Sequence, residues 1–547
     1  MGSQVLSRGE RRFGAMDSTV RVPVDDVRTR GHSRSLERFL TASDWREVLV
    51  ALEADGNLLD SSDSGEELTA ETLETEDLSQ TLTEFLDAAD EPLSDSDLAN
   101  LSGAGAFIAS PFPRPGSCSP DADADADASF SDADRPPLVT QTPETPAEVS
   151  ESWSATERAL YERGFRRDER ITTSLSATVE QTPISIVQIA KQVLRNLKAG
   201  ELLPSISLPA WLLEPLSATE KVALAMRYGE LLAAWATEPD PFERFLKGMQ
   251  YFLSGLPNQC SLRKPFNPVL GETFMCAFPH REASHGITSL FCEQVSHHPP
   301  RTAMHMRNSR LGVRIHTVME PRPSFGGNSL KIEMAGHALM ELTHAQDVEQ
   351  YILTRPAMVF SGILGVGKQQ LECIGKCIFH CPKLGFLAKF DFSGVSLAGL
   401  RGSEHAVEGK LYVHEQKRYR FYGRWDDCIY LKDLTNGETR LLYNAGDVYE
   451  RCRVQIWIPP EPQQPPKFAR TVWRATADAL LRNDFERATV EKRRVEACER
   501  ELRSLREQTG ETWQPQFFEL DPLTGIYIFN DKHRHFVEMD PEDLDAI

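Results

Sequence analysis

The stretch Glu293-Gln294-Val295-Ser296-His297-His298-Pro299-Pro300 sets two adjacent histidines after an apolar run, Leu290-Phe291-Cys292, and directly before two prolines. Proline offers no amide hydrogen to a sheet and biases the residue before it to extended geometry. The stretch therefore predicts a strand that stops at Pro299, with two imidazoles at its rim. Consecutive side chains of a regular strand point to opposite faces. Both rings meet one ligand only if the backbone there is irregular. A charged imidazole donates from both ring nitrogens, which suits a phosphate. The plainer alternative is a polar strand end.

The chain around this stretch has 547 residues, room for about two to four ordinary domains or for one large domain with a tail. A net charge of −21 argues against a general nucleic-acid or anionic-membrane binder. The charge is unevenly spread, with no Lys or Arg between Arg46 and Arg114. The ten cysteines are scattered and follow no secretory signal, so reduced thiols in the cytosol are expected. No apolar run approaches the roughly 18–20 residues of a membrane span. The start, Met1-Gly2-Ser3-Gln4-Val5-Leu6-Ser7, misses a myristoylation signal because Leu6 stands where Ser or Thr is needed. Membrane contact is expected through partners or reversible binding.

Residues 1–165 read as a disordered acidic region. Asp121 to Ala128 is a run of Asp-Ala pairs set among Ser, Pro, Asp and Glu, too little apolar surface to offset backbone ordering. Trp45, Val48, Leu49 and Leu52 fall at helical spacing behind Ser43, giving a short helix as an alternative there. From Gln181 the pattern changes. Thr182-Pro183 reads as N-cap and first turn, Ile186, Ala190, Val193, Leu194 and Leu197 form one stripe, and Gly200 ends it. Helices are predicted over 217–236 and 241–253.

Beyond them the period drops to two. Val313, Ile315 and Thr317 alternate with polar neighbours, and Gly326-Gly327-Asn328 turns into Leu330, Ile332 and Met334. Asn436-Gly437 is a hairpin turn between Cys428–Leu434 and Thr439–Tyr443. Many short strands joined this way predict one large antiparallel sheet, curled or closed. A long helix, 475–508, follows; Thr524-Gly525 then turns into Ile526–Phe529. On the long helix Lys492, Glu496 and Arg500 recur every fourth residue on one face, by themselves a solvated ion-paired surface.

The octapeptide 293–300 resembles the signature of the oxysterol-binding-protein-related lipid-transfer family. Lys264-Pro265-Phe266-Asn267-Pro268-Val269-Leu270-Gly271-Glu272 resembles that family's other signature loop. The resemblance runs from about Ile184 to the C-terminus and implies an α+β, mainly β fold. Its large antiparallel β-barrel-like sheet encloses an apolar tunnel, with an N-terminal lid helix at about 182–208, flanking helices and a long C-terminal helix. It implies a domain over 166–547 and a phosphoinositide headgroup site of Lys264, Asn267, His297, His298, Lys492, Glu496 and Arg500. Lys492 and Arg500 then meet phosphate, and Glu496 orients a base or accepts an inositol hydroxyl. Pro265 and Pro268 stiffen the loop so that amides near Phe266 face the same anion. The implied partners are membrane lipids: a phosphoinositide such as phosphatidylinositol 4-phosphate, and a sterol or phosphatidylserine. Glu84-Phe85-Leu86-Asp87-Ala88-Ala89-Asp90 resembles the acidic motif that binds VAMP-associated receptors of the endoplasmic reticulum, with Phe85 as anchor, Ala88 as the small residue, and Glu84 and Asp87 as steering charges. Leu86 and Asp90 depart from that motif.

Three other readings stay open. Cys373, Cys377, His380 and Cys381 lie within nine residues but lack the distant second pair of a zinc site; a strand kinked at Gly375-Lys376 is the alternative. His297 or His298 as a catalytic base lacks a nucleophile elbow, a Gly-rich phosphate loop or a carboxylate pair. A lipid-occupied sensor without net transfer is the third. No cofactor, metal, catalytic activity or nucleic-acid partner is expected.

Overall fold

The structure, a computed structural model, describes residues 153–168, 210, 213–259, 263–326, 329–344, 347–362, 370–393, 404–522 and 524–539. The short helix expected at 43–52, the receptor motif at 84–90 and the lid at 182–208 lie outside the described residues.

Order begins before the boundary expected at residue 165. Helix α1 (Ala155–Glu162) has a reciprocal cap, in which Ser154 accepts from the Glu157 amide at 3.2 Å and Glu157 accepts from the Ser154 amide at 3.0 Å. Trp153, Leu160 and Phe165 are buried, and Trp153 packs edge-on against Trp457 at 5.2 Å. Strand β1 (Arg166–Arg167) then joins the sheet. The acidic, Ser-rich composition around this segment hid a Ser-x-x-Glu box ahead of an apolar turn.

Strand β2 (Leu213–Ser217) leads into α2 (Ala218–Met226), α3 (Gly229–Thr237) and α4 (Pro241–Gln259). The first expected helix is thus divided at Arg227 and Tyr228. Strand β3 (Lys264–Phe266) lies parallel to β2. The main run follows: β4 (Thr273–Pro279), β5 (Ile287–His297), β6 (Pro300–Asn308), β7 (Val313–Gly326), β8 (Ser329–Ala335), β9 (Ala338–His344) and β10 (Asp347–Leu353). It continues with β11 (Ala357–Ser361), β12 (Gln370–Cys381), β13 (Phe386–Ser393), β14 (Ala406–Val413), β15 (Gln416–Arg424), β16 (Cys428–Asp433) and β17 (Thr439–Asn444). After α5 (Ala445–Arg451), β18 (Trp457–Ile458) pairs with β1 and β4.

These strands make one 16-stranded sheet, ordered β1-β18-β4-β5-β6-β7-β8-β11-β12-β13-β14-β15-β16-β17, with β9 and β10 pairing alongside β7 and β12. Every pairing in it is antiparallel, and both expected hairpins form, one of them turning at Gly437 with φ +80°. Among the described residues β1 and β17 do not pair with each other. The expected barrel is therefore an open curled sheet in its hydrogen bonding.

The three helices after β2 do not all flank this sheet. Helix α4 sits inside the curl. Phe245 meets Phe379 on β12, Phe252 meets Phe390 on β13, the Tyr251 hydroxyl reaches Met306 on β6, and Gln250 donates to the Leu442 carbonyl on β17. One helix reaches strands so far apart in the sheet order only if the sheet wraps around it. The sequence cause is one apolar stripe, Phe245, Leu246, Met249, Phe252, Leu253 and Leu256, all buried, while Arg244, Tyr251 and Ser254 on the remaining surface are buried as well. Each side chain of the stripe contributes about 1.5–3 kcal/mol. Arg244 crosses from the helix to Glu349 on β10 with bonds of 3.0 and 2.5 Å.

The long C-terminal helix is also two. After α6 (Ala469–Val472) come α7 (Arg474–Leu481) and α8 (Phe485–Thr509). Asn483 takes φ +58°, and the Asp484 side chain accepts from the Arg487 amide at 2.9 Å. Asn in the left-handed region ends one helix and Asp caps the next. Strands β19 (Phe518–Leu520) and β20 (Tyr527–Phe529) form a hairpin whose Phe518 and Phe529, with Phe517, pack on Phe291 of β5. In β12 Gly375 has φ +92° where the neighbour changes from β11 to β10. Cys373, Cys377 and Cys381 are buried on that strand. No described helix is long and apolar enough to cross a membrane.

Candidate functional site

The octapeptide is irregular where the two-histidine reading requires it. The β5–β6 register shifts between Gln294 and Ser296, β6 begins at Pro300, and the His298–Pro299 peptide is cis. A bulge re-aims side chains, and here the two imidazoles end side by side, centroids 4.7 Å apart and nearly perpendicular. His297 Nδ1 lies 3.2 Å from the Pro268 carbonyl. A carbonyl only accepts, so Nδ1 carries the hydrogen. Burial first, then the neighbouring His298, holds the His297 pKa below its ordinary value.

The remaining residues of the stretch serve the frame. Glu293 is buried and accepts from the amides of Gln516 and Phe517 at 2.8 and 2.9 Å, clamping the C-terminal segment onto β5. Gln294 accepts from the Thr302 hydroxyl and donates to the Ser296 carbonyl.

The second stretch divides in the same way. Lys264, on β3, and Asn267 line the cavity, whereas Glu272 lies fully buried beneath it. Its carboxylate accepts from Thr219 Oγ1 at 2.8 Å, Trp473 Nε1 at 2.7 Å, the Val269 amide at 3.1 Å and the Ser217 hydroxyl. Burial outweighs those donors and pushes its pKa up to about 7. This one carboxyl ties together the start of α2, the signature loop and the α6–α7 junction. The loop's Val269 amide is thereby bonded to a buried carboxylate and is not open to the cavity. Gly271 has φ +75°, and a Cβ there would meet the Trp513 ring at 2.5 Å, so the loop approaches the cavity wall as only glycine allows.

Helix α8 supplies the third wall. Lys264, Asn267, His297, His298, Lys492, Glu496 and Arg500 all line one cavity of about 1230 Å³. The structure brings all seven expected residues together. Lys492 donates to Glu496 at 2.5 Å. Lys264 is open to the cavity, yet the protein around it limits hydration. That desolvation, reinforced by Lys492 and opposed by Glu496, lowers its pKa from the ordinary lysine value.

Other lining residues escaped the sequence reading. Glu499, Arg503 and Arg506 continue the α8 stripe, and Arg301 enters from β6. Arg503 Nη1 is 3.3 Å from His298 Nε2, and Lys467 bridges the Leu270 carbonyl at 2.9 Å and Glu499 at 3.2 Å. The signal was available: from Lys492, steps of 7, 11 and 14 residues keep the face that steps of 4 and 8 define. Six cationic side chains face three carboxylates around the cavity, a balance suited to a multiply charged anion. Arg494, 84% exposed at its side chain, points away.

The profile of the oxysterol-binding protein family matches residues 191–538. Oxysterol-binding protein-related protein 5 of Homo sapiens is 30% identical over 391 residues, 70% of this chain and 44% of that protein. Oxysterol-binding protein 10 of Dictyostelium discoideum is 31% identical over 315 residues, 57% of this chain and 77% of that protein. The chain thus spans less than half the length of the human relative. Among solved structures, the Osh1 ORD domain in complex with ergosterol matches with a TM-score of 0.52 at 22% identity, over 69% of this chain and 94% of that domain, which shows a common fold. The profile match takes in residues 264–272 and 293–300, every strand of the curled sheet except β1, and all of α8. The chain belongs to the oxysterol-binding protein family.

Proposed function

We propose that the chain is a non-enzymatic lipid carrier that takes a phosphoinositide, with phosphatidylinositol 4-phosphate as the expected species, and exchanges it for a second lipid between the endoplasmic reticulum and another membrane. The observation that supports this most is the convergence of Lys264, His297, His298, Lys492, Arg500 and Arg503 on one cavity from three separate parts of the chain. At about 1230 Å³ it exceeds the roughly 300–1,000 Å³ of ordinary small-molecule sites, leaving room for a headgroup and part of the lipid body. In this reading Lys264, Lys492 and Arg500 meet phosphate, Asn267 bonds a phosphate oxygen or hydroxyl, and Glu496 accepts an inositol hydroxyl while holding Lys492. His297 gains its second proton when the anion arrives. Leu213, Val269, Val295 and Leu520, on the same walls, meet the apolar part. Ergosterol in the related Osh1 domain makes a sterol the first candidate for the second lipid, with phosphatidylserine as the other.

The test is extraction from liposomes. The purified chain should remove phosphatidylinositol 4-phosphate from donor vesicles, deliver it to acceptors and leave it chemically intact. A dephosphorylated or hydrolysed product overturns the carrier reading. Extraction without delivery in either direction favours a lipid-occupied sensor. Residues Glu84, Phe85, Asp87 and Ala88 we propose as the tether to a VAMP-associated receptor, placing the protein peripherally on the endoplasmic reticulum. A peptide spanning 81–94 should bind that receptor domain, and Phe85→Ala should abolish binding; no affinity even with the upstream Ser and Thr phosphorylated removes the motif.

A further inference from the structure

The outer face of β13–β16 carries a charge pattern that the lipid site does not use. Inward, Phe390, Leu411, Phe421 and Leu431 are buried in the core. Outward, Lys389 stands opposite Lys410, Lys410 opposite Arg420, and Arg420 opposite Lys432. Four cations thus form one row across four neighbouring strands, about 14 Å long at the usual strand spacing. Like charges directly opposite one another in a sheet are unfavourable. Glu408 answers Arg420 at 2.5 Å. The adjoining row runs Asp391, Glu408, Tyr422, Tyr430, Leu441. Its last three members are 38%, 41% and 50% exposed, and the two tyrosine rings lie 6.2 Å apart. A cationic strip bordered by an aromatic and aliphatic one fits an acidic chain with interspersed apolar residues.

This chain contains such a segment. Residues 47–113 hold 17 Asp and Glu and no Lys, Arg or His. Apolar pairs interrupt the acids at Leu58-Leu59, Phe85-Leu86 and Phe107-Ile108. We propose that residues 47–113, which lie outside the described residues, dock on the outer face of β13–β16 of their own chain. The reach is sufficient. Residues 114–152 extend to about 130 Å, whereas a domain of this size is about 55 Å across. Covalent tethering holds the segment near the face at an effective concentration on the order of millimolar. An anionic bilayer is the weaker candidate, because the whole molecule, at −21, is repelled from it while the tail is already in place.

The test uses the full chain and a zero-length carbodiimide, which joins carboxylates to lysines, followed by digestion and mass spectrometry. Links from 47–113 should concentrate on Lys389, Lys410 and Lys432. They should fall about tenfold in about 0.5 M salt, where the screening length shrinks to about 4 Å. Arg420→Glu combined with Lys432→Glu should reduce links to the unaltered Lys389 and Lys410 without shifting the melting midpoint. If that variant does not fold, Arg420→Gln with Lys432→Gln should give a smaller loss of the same sign. Links spread evenly over lysines of the whole domain overturn the proposal. So do links that form only between chains in an isotopically mixed sample. Flotation of the chain with phosphatidylserine vesicles through these same cations, without tail links, assigns the face to a membrane instead.

Discussion

The inside of the curled sheet and the cavity at its rim are built from the same strands and obey opposite rules. Around α4 the side chains are large and apolar, and the crossing ion pair, Arg244 with Glu349, is buried and closed by the Tyr351 hydroxyl at 2.6 Å. Around α8 the charges are numerous, open to solvent and unbalanced in favour of cations. The first region gains from being finished. The second keeps more cations than carboxylates, which under the proposed function leaves charge free for a phosphate. Stability and binding should therefore separate between them.

The largest effect is expected inside the curl. Phe245→Ala removes a fully buried ring that touches Tyr351, Phe379 and Phe386. It should destabilise the fold by about 3–5 kcal/mol in denaturant titration, with headgroup affinity unchanged in the fraction still folded. A loss under about 1 kcal/mol would mean that the interior is loosely filled.

Glu272 stands on the border between the two regions and gives a pH signature. Its carboxyl pKa is raised from 4.5 to about 7 in the fold. Across that interval the folded protein keeps a proton that the unfolded chain has released. The contribution is full below the unfolded value and lost as pH rises through about 7. Unfolding free energy should fall by about 2–3 kcal/mol between about pH 5 and pH 8 from this group. Glu272→Gln should flatten that slope; an unchanged slope would place the titration elsewhere.

On the cavity side, Lys264→Ala should weaken phosphatidylinositol 4-phosphate binding by about 1.5–3 kcal/mol, roughly ten- to a hundred-fold. The melting midpoint should stay put and a sterol should still bind. Combining it with Arg500→Ala should be non-additive if both hold one phosphate. Equal loss of both lipids would make the cavity a single undivided pocket and erase the contrast with the interior.

What the sequence disclosed follows from the range of the interactions involved. Period-two alternation and Asn436-Gly437 are local, so the hairpins were readable. The octapeptide and loop 264–272 carry the family resemblance, and it was that resemblance, not composition or spacing, that named seven lining residues. The positions of α4 and of the C-terminal clamp are not local. Nothing in Pro241–Gln259 says whether its apolar stripe meets a sheet on one side or the whole helix is wrapped by one. Glu293 and Glu272 stood inside the quoted stretches, yet their partners are Gln516, Phe517 and Trp473, some 200 residues away. The Ser154 box and the Asn483-Asp484 break were local and readable, but an acidic neighbourhood hid one and a continuous run of charged residues hid the other.

The smallest effect probes a carboxylate in the cation-rich wall of the cavity. Glu499 lines the cavity and pairs with Lys467 at 3.2 Å, with side chains 20% and 34% exposed. A pair this accessible is worth about 0.2–1 kcal/mol, and Lys467 keeps its bond to the Leu270 carbonyl without it. Glu499→Gln should therefore leave the melting midpoint nearly unchanged. Removing a negative charge from the wall should also relieve repulsion against a phosphate and free Lys467 to turn toward it. At the effective dielectric of a surface site these terms amount to about 0.5–1 kcal/mol, a two- to fivefold gain in phosphoinositide affinity, larger at low salt. Tighter binding with unchanged stability would show that this side of the cavity is tuned for release as well as capture. Weaker binding would make Glu499 an acceptor for an inositol hydroxyl, and the cation-rich wall would then be more fully matched to its ligand than its charges suggest.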